Sequence, residues 1–129
     1  MRIISEAEFA ARIREQLDEM WRSLSAEEMP GWVTGPGRSG AIAAVYASHI
    51  LAIPFVPCGS PGPADLGRVL IIDTARQSGR TLRKAAKRYE AADPLVIWCY
   101  DEPPRVAFWY EAAKPQQYRH ERIERCPAK

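Results

Sequence analysis

Cysteine is scarce and badly spaced for structure. Cys58, Cys99 and Cys126 lie far apart, show no C-x-x-C pattern and cannot all pair, which excludes a disulfide framework and gives no zinc-site signature. A reducing, cytoplasmic setting is the expectation. No apolar run approaches the roughly 18 residues a membrane-spanning helix needs, and "MRIISEAEF" turns acidic where a secretory signal would open an apolar segment. A soluble chain with no membrane partner is expected. An excess of one charge is also missing: 18 Lys and Arg against 16 Asp and Glu leave a formal charge of +2, which argues for no nucleic-acid partner. Internal repeats and low-complexity segments are absent as well. What remains is one domain's worth of chain, residues 1–129, 47% hydrophobic. At that length folding should bury roughly 65–70% of the unfolded surface.

The elements follow from apolar spacing. Ser5 and Glu8 have capping-box spacing, and Phe9, Ile13, Leu17, Met20, Trp21 and Leu24 recur at helical steps, predicting a helix over about residues 6–24. Pro30-Gly31 breaks the pattern before a short strand at 32–34 and the loop "GPGRSG". A small-residue helix should come next, with Ile42, Val45, Tyr46, His49 and Ile50 marking one face, alanines that would let it sit close on a sheet, and a strand at 53–56 after it. "PCGSPGPADLG" reads as a mobile surface loop. The continuous apolar run Val69–Ile72 suits a central parallel strand covered on both faces. A helix over 79–91 and strands at 95–99 and 106–110 complete the list. The polar segment beyond is ambiguous. Strands alternating with helices predict an α/β three-layer sandwich with a mainly parallel central sheet, whose ligands sit outside the carboxyl ends of the strands.

Two polar, glycine-containing loops leave such strand ends, "GPGRSG" and "DTARQSGRT", and should converge on one site. In the second, residues 76–81 wrap a helix N-terminus, where free N–H groups and the macrodipole favour an anion such as phosphate. Ser78 and Thr81 offer hydroxyls, Gly79 admits close backbone approach, and Arg76 or Arg80 supplies charge. Asp73 would repel phosphate when ionised, so its partners should be hydroxyls or a metal ion. A phosphate loop beside a diol-binding acid suggests a ribose 5-phosphate. Arg38 in the first loop is a second place for phosphate or diphosphate. Neither loop is a Walker A or a dinucleotide fingerprint. The plainer alternative is an ordinary turn and cap, with Asp73 as a strand-end solubiliser.

"VLIIDTARQSGRT" resembles the signature of the type I phosphoribosyltransferases: four apolar residues, two acids, three variable residues, then Thr/Ser-Gly-x-Thr. The upstream "VTGPGRSGAIAAVYASHILAIPFVP" is similar to the family stretch whose Arg-containing loop holds pyrophosphate, and "FWYE" resembles the aromatic hood of the xanthine–guanine branch. The resemblance implies the phosphoribosyltransferase fold and transfer of ribose 5-phosphate from phosphoribosyl pyrophosphate to a purine-like base. It implies that Asp73 holds the ribose hydroxyls, that Arg76, Gln77, Ser78, Gly79, Arg80 and Thr81 cradle the 5-phosphate with Thr74 and Ala75 also at the substrate, and that Arg38, Ser39 and Gly40 take the pyrophosphate. Asp73 and Arg38 would be the catalytic pair, Asp73 the protein ligand of a bridging Mg2+, and Trp109 a base-stacking ring. A homodimer is also implied.

Two positions depart from the pattern. Thr74 replaces the second acid, as in uracil-type members, and weakens the hold on diol and magnesium. Gln77 stands where a purine-salvage branch has an aspartate, and glutamine is no general base. A non-catalytic protein that binds phosphoribosyl pyrophosphate or a nucleotide, as sensor or sequestering module, is therefore the alternative. Other residues have plainer roles: the "VAFWY" rings as core, His49 and His120 as surface or packed groups, Cys58 as a small buried residue, and Arg80, Arg83, Lys84, Lys87 and Arg88 as a solvated helix face. The polar tail and the Trp-rich face form a candidate protein interface.

Overall fold

The computed structural model describes residues 2–76, 79–101 and 106–112. The first helix, α1 (Glu6–Ser23), begins where the Ser5 hydroxyl accepts from the Glu8 N–H. Phe9, Ile13, Leu17 and Met20 are buried along one stripe. Trp21, one step of about 100° off that stripe, is 58% exposed, so it leaves the predicted inner face.

Three strands form the main sheet in the order β2 (Trp32–Thr34), β3 (Val69–Ala75), β4 (Leu95–Tyr100), all parallel. β3 is central, and the period of two along it divides its apolar run between two cores. Leu70 and Ile72 join α1 and the second helix, α2 (Gly37–Leu51), on one face. Val69 and Ile71 join Leu82, Ala85 and Tyr89, from the third helix α3 (Arg80–Arg88) and its end, on the other. Helices thus cover both faces of a parallel sheet, which is the three-layer arrangement expected. None of the helices among the described residues is long and apolar enough to cross a membrane.

Several local expectations are corrected. α2 starts at Gly37, so Arg38, Ser39 and Gly40 stand in its first turn and not in a loop before it. Its buried face is Gly40, Ala43, Ala44 and Ala47, the close seat on the sheet expected of the alanines, while Val45 and His49 are exposed. Small side chains bring the helix backbone close to the sheet, and the larger residues flank the contact, with Tyr46 edge-on to Phe9 at 5.2 Å. The strand expected at 53–56 shrinks to a bridge between Phe55 and Val33, because Pro54 and Pro57 have no N–H to extend it. The helix expected over 79–91 closes at Arg88, followed by a 3-10 turn at Glu90–Ala92. A strand not foreseen, β1 (Arg2–Ile4), pairs in parallel with β5 (Val106–Phe108) as a separate two-stranded sheet. After β5 the chain turns into a short helix, α4 (Trp109–Ala112), so the strand expected through residue 110 stops at Phe108.

The loop expected to be mobile is anchored instead. The Tyr89 hydroxyl accepts from the Gly59 N–H and donates to the Ser60 carbonyl, and a Cβ on Gly62 would stand 2.6 Å from the Trp32 ring. This loop runs under the amino ends of the strands. There it lines a cavity of about 900 Å3 with Trp32, Arg68, Arg88 and Asp93, away from the carboxyl ends.

The turn between β2 and α2 presses on β3. A Cβ on Gly35 would lie 2.0 Å from the Gly40 oxygen and 2.7 Å from the Ile72 oxygen, both backbone atoms that cannot swing aside. Gly35→Ala should therefore lower the unfolding free energy by about 1–3 kcal/mol. Val45→Ala, on the exposed side of α2, should change it by no more than about 0.5 kcal/mol. Denaturant midpoints of the two variants check the contrast.

Candidate functional site

Two first turns and one strand end meet at the carboxyl edge of the sheet. β2 delivers the chain into the first turn of α2, where backbone N–H groups lack intrahelical partners. β3 ends with Asp73, Thr74 and Ala75, and Gly79 then turns the chain into α3 with a φ of 80°. That left-handed value favours glycine. Arg80 and Thr81 follow, both exposed, in the first turn of α3. The contact of Gly35 with the Ile72 carbonyl sets the first loop beside the residue that precedes Asp73. Arg38, Ser39, Gly40, Asp73, Thr74, Ala75, Arg76, Gly79, Arg80 and Thr81 accordingly lie on the two loops or their flanks, whereas Gln77 and Ser78 fall outside the described residues.

Alternation along β3 gives its last residues different surroundings. Asp73 shares the α3 side with Val69 and Ile71, while Thr74 turns to the α2 side and is 3% exposed. Burial pushes the Asp73 carboxyl up to about 6, against the opposing pull of the Thr74 N–H, which donates to Oδ1 at 2.7 Å. Among the described residues no cation pairs with this carboxylate. It is a half-buried acceptor suited to hydroxyls or to a metal ion shared with a ligand. No group of three or more His, Cys, Asp or Glu among the described residues forms a metal cage.

Arg76 is already engaged. Its N–H donates to the Tyr100 carbonyl at 2.8 Å, its guanidinium lies 4.1 Å from the centre of the Trp98 ring, and it pairs with Asp101 at 3.2 Å. Trp98 Nε1 donates to the same Asp101 oxygen at 2.9 Å. The side chain is thus turned toward the end of β4. Sequence reading missed Trp98 and Asp101 because they lie in and just beyond a neighbouring strand, and no spacing within the motif reports cross-strand partners.

The aromatic stretch divides. Phe108 is buried, and Trp109 packs on Phe9 with ring centres 5.7 Å apart. Tyr110 stacks on Phe108 and places its hydroxyl 2.6 Å from Ser39 Oγ. It is a site residue the sequence reading did not select. The available signal was its chemistry: a tyrosine in an apolar run needs a partner for its hydroxyl. Elsewhere Cys99 is buried, and its thiol is pushed up to about 12 by that burial, which makes it no nucleophile. His49 is exposed on α2, and His120 and Cys126 lie outside the described residues.

No protein-family model and no curated protein sequence matches the chain. Solved structures do. The Helicobacter pylori xanthine-guanine-hypoxanthine phosphoribosyltransferase is similar with a TM-score of 0.70 and 14% identity, covering 86% of this chain and 92% of that one. A purine phosphoribosyltransferase from Pyrococcus horikoshii gives 0.64 and 20% over 86% and 95%. A hypothetical protein from Neisseria gonorrhoeae with bound ppGpp gives 0.65 and 12% over 92% and 94%. With parallel strands, helices on both faces and these neighbours, the chain has a type I phosphoribosyltransferase-like fold.

Proposed function

We propose that the chain is a phosphoribosyltransferase, joining a purine-like base to the ribose 5-phosphate of phosphoribosyl pyrophosphate with release of pyrophosphate. The observation that carries this reading is the meeting of two helix first turns on either side of Asp73 at the carboxyl edge of a parallel sheet. Each first turn offers N–H groups to an anion, and the acid between them is the group that can accept from ribose hydroxyls. Arg38, Ser39 and Gly40 hold the pyrophosphate, Gly79, Arg80 and Thr81 the 5-phosphate, and Asp73 the diol. Bond breaking at C1 releases pyrophosphate toward Arg38 as the base nitrogen attacks, and the chain contributes position and fixed charge to that step. A lone carboxylate fits Mg2+ only as an ion shared with substrate oxygens. Asp73 would hold it, and the ion would supply charge neutralisation on the departing pyrophosphate.

A second reading is a nucleotide-binding protein without turnover. It is favoured by the likeness to the Neisseria gonorrhoeae structure with bound ppGpp, which extends over 92% of the chain. Diphosphate on a ribose is chemistry that both ligands share.

Pyrophosphate release from phosphoribosyl pyrophosphate with Mg2+, assayed against guanine, xanthine, hypoxanthine, adenine, uracil and orotate, separates the two. Release with one purine is expected, and Asp73→Asn should lower kcat/KM by roughly 100-fold or more. Silence across the panel with phosphoribosyl pyrophosphate or ppGpp still bound supports the second reading. Failure to bind either overturns both.

The raised Asp73 carboxyl gives a pH signature. Ligand binding needs the ionised form, so affinity for Mg2+ and phosphoribosyl pyrophosphate should rise from pH 5 to 7 through a midpoint near 6, and Asp73→Asn should flatten the profile. Stability runs the other way. The folded chain favours the neutral carboxyl, so this group's contribution is full below its ordinary value of 3.8 and is lost as pH rises through about 6. Without ligand, Asp73→Asn should melt above the parent chain at pH 7 and level with it at pH 4.

A further inference from the structure

The first turn of α2 is tied to the aromatic segment after β5 by one hydroxyl contact. Tyr110 Oη lies 2.6 Å from Ser39 Oγ. The ring is fixed from two sides, stacked at 10° on Phe108 and edge-on to Trp109 at 5.0 Å. Burial holds the hydroxyl above its ordinary titration range, so it stays a neutral donor and acceptor near pH 7.

We infer that Tyr110 is a positioning residue for the diphosphate subsite, holding the Ser39 hydroxyl with its proton directed at the ligand anion. This rests on the proposed reading of the site. Serine has one O–H to give and two lone pairs. A ligand oxygen can only accept, so Ser39 must donate to it and take its second bond as an acceptor. Tyr110 supplies that bond. Donation then runs in one direction, from Tyr110 through Ser39 to the anion. Bonds in such a chain strengthen one another. The contact therefore links the subsite for the leaving group to the aromatic segment after β5, through a hydroxyl that itself touches no ligand.

The test is calorimetric titration of the full chain with Mg2+ and phosphoribosyl pyrophosphate, with inorganic pyrophosphate, and with ribose 5-phosphate. The variants are Tyr110→Phe, Ser39→Ala and the double variant. Tyr110→Phe keeps the stacked ring and removes only the hydroxyl. It should weaken both pyrophosphate-bearing ligands roughly three- to tenfold and leave ribose 5-phosphate at its parent affinity. The double variant should bind no more weakly than Ser39→Ala alone, because both changes break one contact. Unchanged pyrophosphate affinity in Tyr110→Phe overturns the inference while the proposed function stands. So do losses that multiply in the double variant, or an equal loss for ribose 5-phosphate, which marks general damage to the fold. A parent chain that binds none of the three ligands overturns the reading of the site, and this assignment with it.

Discussion

The close approach of the β2–α2 turn to β3 is the constraint from which the site follows. Gly35 lies against the carbonyls of Gly40 and Ile72 at a separation that admits no side chain. Because β3 is central and buried on both faces, it cannot retreat, so the turn is fixed relative to the strand end. The inner face of α2 continues the same logic with Gly40, Ala43, Ala44 and Ala47, which let the helix axis sit low on the sheet. Only with the helix in that position does its first turn open beside Asp73. Packing and anion geometry are therefore one arrangement.

Legibility in the sequence tracked the range of the interaction. The run Val69–Ile72 announced a doubly covered strand because its burial depends on its own composition, and the glycines of both loops announced turns for the same reason. The alanines of α2 announced a helix seated close on the sheet, because smallness is what that contact selects. Trp21 was misread because it adjoins a true stripe residue, Met20. β1 was invisible: three residues carry no period, and its partner β5 lies about a hundred positions away. The same limit applies to the site. Asp73 and the glycine turn could be read from their motif, but Arg76 turned toward Trp98 and Asp101 through contacts between strands.

The engagement of Arg76 shifts the charge balance of the second loop. With that guanidinium committed to Asp101 and the Trp98 face, what the described part of the loop presents to an anion is the start of α3. There the Gly79 turn, the N–H groups of the first turn and the Thr81 hydroxyl are held by backbone geometry. On the proposed reading such a site recognises phosphate by directed donors more than by net charge, and donors fixed in advance cost little reorganisation when ligand arrives.

Thr74 can be understood in the same terms. Its side chain faces α2 and is almost wholly buried, next to a carboxyl whose pKa burial already raises. A second acid in this setting would need to ionise inside the α2 layer beside Asp73, with no cation among the described residues to offset either charge, and like charges so close oppose joint ionisation. Threonine avoids that cost. Its hydroxyl is small enough to pack, and its backbone N–H donates to Asp73 Oδ1 at 2.7 Å, so the residue that departs from the two-acid pattern serves to hold the acid that remains. The strand end thus keeps a single carboxylate, held by its neighbour's N–H and not opposed by a second charge, which is the form the proposed reading needs for the ribose.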